Sequence, residues 1–189
     1  GTFFGGPDLL LDRLLAEGAR RGRRETSIGA VYLGGSMLDP RILDRVENEF
    51  GIVVLRAYGS SEAPISTAGT RSESREVRLA DDGAPLHGVQ VRRGSSNYPA
   101  ECCITGPHLF LGYVDEQDDA HAFEVDGDGI DWFCTGDVAD LDGGRVKIVG
   151  RIRDIVIRKG LKVPISEVEG YVNALPGVAR SAGYSTPDP

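Results

Sequence analysis

The segment from Ser27 to Leu55 constrains the fold most. An apolar run, "SIGAVYL", leads to "RILDRVENEF" and then to a second apolar run, "IVVL". Ile42, Leu43, Val46 and Phe50 recur at the spacing of one helical face, Asp39-Pro40 supply a cap and first-turn pair, and Gly51 stops the helix. Strand, helix and strand in that order make a βαβ unit, and uninterrupted apolar strands belong to a parallel sheet covered on both faces. Open α/β sheets bind ligands at the carboxyl ends of their parallel strands. Here those ends carry Gly34-Gly35-Ser36 and "YGSSE", Tyr58 to Glu62, which this fold sets side by side.

The flanking regions read differently. "PDLLLDRLLAEGARRG" is a predicted helix with Pro7 in its first turn and Leu10, Leu11, Leu14 and Leu15 along one face. From Thr67 to Asn97 the chain is polar and rich in turn residues, as at Asp82-Gly83 and Gly94 to Asn97. Short strands follow in "ECCIT", "HLFLGY", "WFCT" and "RVKIVG", which predicts a small β subdomain of barrel or meander type. "DIVIRK" adds another strand. Ser166 with Glu169 has capping-box spacing, and Val168, Tyr171, Val172 and Leu175 are the expected buried stripe of a last helix ended by Pro176-Gly177.

Composition narrows the function. The formal net charge of −8 argues against a nucleic-acid partner, and no stretch has the length of a membrane span. Arg20, Arg21, Arg23 and Arg24 read as a solvated helix end. Three cysteines, Cys102, Cys103 and Cys134, have no C-x-x-C spacing, so neither a disulfide framework nor a zinc site follows and a cytoplasmic location is expected. Adjacent Cys102 and Cys103 should face opposite sides of a strand. His87, His108 and His121 share no ligand spacing.

Two segments hold residues suited to a nucleotide. Tyr58 offers a flat face next to Gly59, Ser61 a hydroxyl for a phosphate oxygen, and Glu62 a hard anionic oxygen of the kind Mg²⁺ prefers. Asp137, behind a Thr-Gly turn, can accept from both hydroxyls of a vicinal diol, and Arg151 can reach the same sugar or its phosphate with a fork of donors. Each alone reads more readily as a helix start, a turn aspartate or a surface arginine than as a functional residue.

Taken together and in order, "YGSSE", "TGPHLFLGY", "WFCTGD", "GRIRD" and "KGLKVPISEVE" resemble the adenylate-forming enzymes, and "RAYGSSEAP" is similar to bacterial acyl-CoA synthetases acting on fatty or alicyclic acids. The resemblance implies an α/β fold: residues 1–90 as part of the large-domain sheet, 91–150 as a β subdomain, 151–189 as the hinge and start of a small α+β domain. It implies an acid–thiol ligase that uses ATP with Mg²⁺ to form an acyl-adenylate, and coenzyme A to take the acyl group as a thioester. The implied contacts put Tyr58 against adenine, Gly34, Gly35 and Ser36 on its other side, and Gly59 at the acyl pocket. Ser61 is implied at phosphate, Glu62 at Mg²⁺, Asp137 at ribose, Arg151 at ribose and phosphate, and Gly160 on the pantetheine path. Arg153 takes the hinge position, where the family usually has aspartate or lysine.

Ser61 stands for the usual threonine and keeps its hydroxyl, whereas Asp131 for a glycine and Cys134 for a basic residue alter the local charge expected near the ribose. Of the usual glycine and glutamate turn at "SSNYPAECC", Glu101 alone matches. The family's phosphate loop carries a lysine upstream of the tyrosine motif, and its small domain a late catalytic lysine. Lysine occurs here only at 147, 159 and 162. The expectation is a piece of a longer ligase, inactive by itself. The same motifs fit a module that loads a carrier-protein thiol, or a non-catalytic nucleotide-binding relative.

Overall fold

The computed structural model describes residues 2–6, 8–22, 26–34, 38, 40–158, 161–184 and 186, with strands, helices and turns alternating through two sheets and a ribbon. In the first sheet β1 (Thr2–Gly6) runs parallel to β2 (Ile28–Leu33), and β2 parallel to β3 (Val53–Tyr58). Helix α1 (Asp8–Arg20) makes the first crossover and α2 (Pro40–Phe50) the second. The expected βαβ unit is present, and β1 extends it. Two short strands, β4 (Thr67–Ala68) and β5 (Ala84–Pro85), continue the sheet antiparallel on either side of helix α3 (Arg75–Ala80).

Leu11, Leu15, Val31, Leu33, Leu43, Val46, Ile52 and Val54 form the core between helices and sheet. Leu10 and Leu14 do not join it; they are 45% and 49% exposed. One residue step is about 100° of helical rotation, so Leu11 and Leu15 face the sheet while the pair before them lies round the edge. The carboxylate of Glu47 on α2 meets the buried Arg78 of α3 at 2.7 Å, and Arg78 also donates to the carbonyl of Val54. Through one terminal nitrogen this buried guanidinium ties two helices to β3, while its Nε is buried without a hydrogen-bond partner.

The second sheet has the order β10 (Arg145–Arg151), β9 (Asp131–Asp142), β7 (Glu101–Thr105) and β6 (Gln90–Arg93), with β8 (Phe123–Val125) also on β9. Helix α4 (Glu116–Ala122) precedes β8. The "HLFLGY" segment is a loop rather than the expected strand. Its Leu109 and Phe110 pack on the second core while Leu111 is fully exposed, and the Phe110 amide donates to the Glu62 carbonyl at 2.8 Å. Phe110 lies 5.5 Å from Phe123 and 5.4 Å from Phe133, an aromatic cluster that holds the loop without ladder bonds.

A polar seam joins the sheets. The Asp82 amide donates to Val146 at 2.8 Å, the Val146 amide donates to Gly83 at 2.9 Å, and the Asp82 carboxylate takes the Ile148 amide at 2.8 Å and Arg56 at 2.7 Å. Arg145 forks onto Asp81 at 2.7 and 2.8 Å.

Beyond a short turn, Ile152–Asp154, strands β11 (Ile155–Arg158) and β12 (Leu161–Pro164) form a two-stranded ribbon leading into α5 (Ile165–Asn173). Helix α5 starts before Ser166 and has no side-chain cap, so the expected capping box is not its entry; the Glu169 carboxylate instead accepts the Gly183 amide at 2.7 Å. Its expected buried stripe is also overturned, with Val168 47%, Tyr171 73% and Leu175 57% exposed. Among the described residues no helix is long and apolar enough to cross a membrane.

Candidate nucleotide site

The carboxyl end of β3 projects Tyr58 into the core of the other sheet, among Ala63, Cys102, Ile104, Phe133, Ala139 and Val146. Its hydroxyl donates to Asp137 Oδ2 at 2.6 Å. Burial raises the Tyr58 pKa well above the ordinary phenol value, with the Cys102 and Asp137 charges adding to the effect, so the hydroxyl keeps its proton. Arg151 Nε reaches the other oxygen, Asp137 Oδ1, at 3.0 Å. Tyr58, Asp137 and Arg151, read from segments far apart in the chain, therefore meet at one carboxylate.

A β-bulge aims that carboxylate. Strands β7 and β9 pair Cys103 with Cys134 but Glu101 with Val138, so Thr135 to Asp137 leave the regular ladder. Gly136 occupies the bend at φ +73°, where a Cβ would be strained. The buried Glu101 accepts the Gly136 amide at 2.8 Å, and the Thr135 hydroxyl donates to the Cys102 carbonyl at 2.8 Å while accepting the Asp137 amide at 3.1 Å. Strands β9 and β10 place Arg151 opposite Asp137. Thr135, Gly136, Arg151, Ile152 and Arg153 line a cleft of about 390 Å³.

The loop after Tyr58 is tightly built. A Cβ on Gly59 would lie 2.4 Å from the Ile65 nitrogen, and one on Gly34 would lie 2.3 Å from the Ala57 carbonyl oxygen, so both positions need glycine for close approach. Ser60 Oγ accepts the amides of Glu62 and Ala63, each at 3.2 Å. Glu62 is held below the usual carboxylate range by Ser60 and its own backbone amide, helped by Tyr113 and the charge of Arg151. The Tyr113 hydroxyl donates to Glu62 Oε1 at 3.1 Å, and Ser61 is exposed. Arg153 lies on the turn after β10, exposed, 3.7 Å from Asp154. Gly35, Ser36 and Gly160 lie outside the described residues.

The sequence marks Glu101 only as a match to the family's turn and gives Ser60, Tyr113 and Thr135 no role. Glu101 and Thr135 were within quoted motifs, but their roles depend on strand register. Tyr113 contributes through a loop that reads as a strand.

No family model matches the chain. Its curated relatives include the 3-[(3aS,4S,7aS)-7a-methyl-1,5-dioxo-octahydro-1H-inden-4-yl]propanoyl:CoA ligase of Rhodococcus jostii (strain RHA1), 32% identical over 165 residues, 86% of this chain and 31% of that protein. The medium/long-chain-fatty-acid–CoA ligase FadD8 of Mycobacterium tuberculosis is 33% identical, over 86% of this chain and 29% of its own length. The chain thus spans about a third of the length of the relatives it matches. Among solved structures, amide bond synthetase McbA from Marinactinospora thermotolerans is 27% identical with TM-score 0.80, over 100% of this chain and 40% of that one. O-succinylbenzoate coenzyme A synthetase from Bacillus subtilis, in complex with its acyl-adenylate intermediate, shares the fold at 24% identity and TM-score 0.81, over 100% of this chain and 39% of that one. By sequence and by fold together, the chain is similar over most of its length to about a third of the length of AMP-forming acyl-CoA ligases of the adenylate-forming superfamily.

Proposed function

We propose that this chain supplies the nucleoside-facing part of an ATP-dependent acid–thiol ligase, which activates a fatty or alicyclic carboxylic acid as its acyl-adenylate and passes the acyl group to coenzyme A. The observation that carries this reading is the meeting of Tyr58, Asp137 and Arg151 where two sheets join. Asp137 is the sugar acceptor: two hydroxyls of a ribose replace the Tyr58 and Arg151 donors or share the carboxylate with them. The Tyr58 ring, with Gly34, Gly35 and Ser36 beyond it, bounds the base. Arg151 turns its free guanidinium nitrogens to the phosphate, Ser61 offers its hydroxyl there, and Gly59 keeps the acyl path open. Arg153 is the pivot of residues 151–189 against the two units 1–90 and 91–150, and Gly160 borders the thiol's approach.

Glu62 fits a Mg²⁺ ion. Its carboxylate is ionised, half-exposed and bonded by Tyr113 on one oxygen, which suits a cation whose other ligands are phosphate and water. Bound there, the ion would neutralise phosphate charge; the chain's own part is to hold Glu62 ionised and oriented. A cytosolic bacterial enzyme, with small-molecule acid, ATP and coenzyme A as partners, completes the reading.

Calorimetric titration of AMP tests it. Asp137→Ala is expected to weaken binding by at least tenfold, since a carboxylate gripping two hydroxyls is worth about 1.5–3 kcal/mol per charged hydrogen bond, whereas Tyr58→Phe keeps the ring and costs severalfold at most. Unchanged affinity in Asp137→Ala refutes the assignment. With no lysine before Lys147 to meet a triphosphate, these 189 residues should catalyse little pyrophosphate exchange, and ligase-like turnover by them would contradict that.

A further inference from the structure

Cys103 and Cys134 face each other across β7 and β9, their sulfurs 3.8 Å apart, immediately beside the bulge that aims Asp137. Cys103 is buried and Cys134 half-exposed. Directly opposed residues of an antiparallel pair have Cα atoms about 4.5 or 5.5 Å apart, inside the window that a disulfide bridges. We propose that Cys103 and Cys134 form a thiol–disulfide exchange site, which a low-molecular-weight disulfide such as glutathione disulfide oxidises to a cross-strand bond, and that this bond weakens nucleotide binding at Asp137.

The chemistry runs in two displacements. The hydrogen bond to Cys103 and burial keep the proton on the Cys134 thiol, so the Cys103 thiolate at 3.8 Å takes that proton as the Cys134 sulfur attacks one sulfur of the small disulfide, breaking its S–S bond, and hands it on to the first thiol released. The Cys103 thiolate then attacks the Cys134 sulfur of the mixed disulfide and expels the second. The two protons lost by the cysteines end on the two released thiols, so two cysteines are oxidised and one small disulfide is reduced. Cys103 suits the second role: the adjacent Cys134 thiol and then the Arg92 guanidinium hold it below the ordinary thiol value, against the pull of burial. Cys102 points the other way, towards the Tyr58 cluster, and burial pushes its thiol up to about 12, which leaves it inert.

Glu101 also lies near these sulfurs, the three ligand atoms falling within 4.8 Å of one another. Two features argue for thiol exchange over a metal ion. Both Glu101 oxygens already accept hydrogen bonds, from Gly136 at 2.8 Å and from Ser95, which leaves two sulfurs where a structural zinc site uses four dedicated ligands. The Arg92 charge beside Cys103 also favours a thiolate and opposes a cation. Coupling to the nucleotide follows from adjacency. The sulfurs must close from 3.8 Å to about 2.05 Å, and Cys134 drags the Thr135-Gly136 bend that sets Asp137.

The experiment incubates the reduced full chain with excess glutathione disulfide, then combines thiol titration, peptide mapping and AMP titration. Two of three thiols should disappear, one linked peptide pair should join Cys103 to Cys134, and AMP affinity should fall about threefold to tenfold, the range of one lost hydrogen bond. Cys103→Ser should accumulate glutathione on Cys134, and Cys134→Ser should form neither adduct nor bridge. Linkage through Cys102, three intact thiols, or a bound metal ion that blocks exchange overturns the site. A bridge that leaves AMP affinity unchanged overturns the coupling. That arm rests on the nucleotide reading. If the reduced chain binds no AMP, that reading fails, while the peptide map still decides the thiol site.

Discussion

The seam between the two sheets and the segment beyond Arg151 both combine arginine–aspartate pairs with apolar residues, yet they are built in opposite ways. At the seam, the Arg56 side chain is 20% and its partner Asp82 9% exposed, and the carboxylate also takes a backbone amide. Beyond Arg151, the Arg153 and Asp154 side chains are 76% and 53% exposed at 3.7 Å, a surface pair worth about 0–1 kcal/mol. The apolar residues follow the same division. Ile104 and Val146 are buried against Tyr58, whereas Tyr171 of α5 and Leu175 in the turn after it face outward. The difference teaches where the site gets its geometry. Tyr58 comes from one sheet and Asp137 from the other, so their 2.6 Å contact is only as fixed as the seam.

The largest effect should come from breaking that seam. Asp82→Ala removes the carboxylate partner of Arg56 and of the Ile148 amide together, leaving a part-buried guanidinium without its counter-charge and a part-buried amide without its acceptor. Removing one member of such a buried pair costs about 3–5 kcal/mol. Chemical denaturation should show a loss near the lower end, because Arg56 keeps the Leu79 carbonyl at 3.3 Å. Arg153→Ala, its counterpart beyond Arg151, should shift stability by less than about 0.5 kcal/mol. Equal losses in the two variants would erase the contrast.

The same contrast explains what the sequence made legible. The βαβ unit was readable because two uninterrupted apolar runs flank a helix with one buried stripe, and packing obeys that pattern at Val31, Val46 and Val54. Tyr58, Asp137 and Arg151 were readable as residue types. Their contact was not, since the bulge at Thr135 to Asp137 is a property of register between strands that no local pattern encodes. β1 was missed because its apolar character ends after Phe4 in two glycines. The loop at 106–113 misled because aromatic packing of Phe110 produces the same apolar spacing as a strand. The stripe of α5 misled for another reason: periodicity reports that a face is apolar, and burial requires something opposite it.

A pH experiment sharpens the comparison at intermediate cost. The His108 Nε2 shares a hydrogen bond with the buried Ser66 hydroxyl at 2.9 Å, while Nδ1 is buried with no partner. Burial lowers its pKa from the ordinary 6.5, so the folded chain favours the neutral ring. Below about pH 6.5 the unfolded state binds the proton more readily, and the contribution is lost as pH falls through the depressed folded value. Carboxylates such as Asp81, held low by Arg145 and the Gly83 amide despite burial, lose their contribution at lower pH, below their ordinary 3.8. Stability should therefore fall in two stages on acidification. His108→Gln should flatten the first and spare the second. A first stage that survives in His108→Gln would assign it elsewhere.

The smallest effect is expected where the exposed side of the comparison is most apolar. Tyr171 is 73% exposed, and its neighbour Val168 is 47% exposed, so replacing Tyr171 with serine removes little buried area from this chain. At about 25 cal/mol per Å² of apolar surface withdrawn from water, a ring that remains mostly solvated contributes a few tenths of a kcal/mol. The melting temperature of Tyr171→Ser should accordingly stay within about 2 °C of the parent, because surface substitutions away from pairs and caps stay within roughly 0.5 kcal/mol. A drop several times larger would mean that this face of α5 is covered in solution by protein. The ribbon and helix would then resemble the seam, their apolar residues buried like those around Tyr58, and the contrast between the two regions would be one of partner rather than of construction.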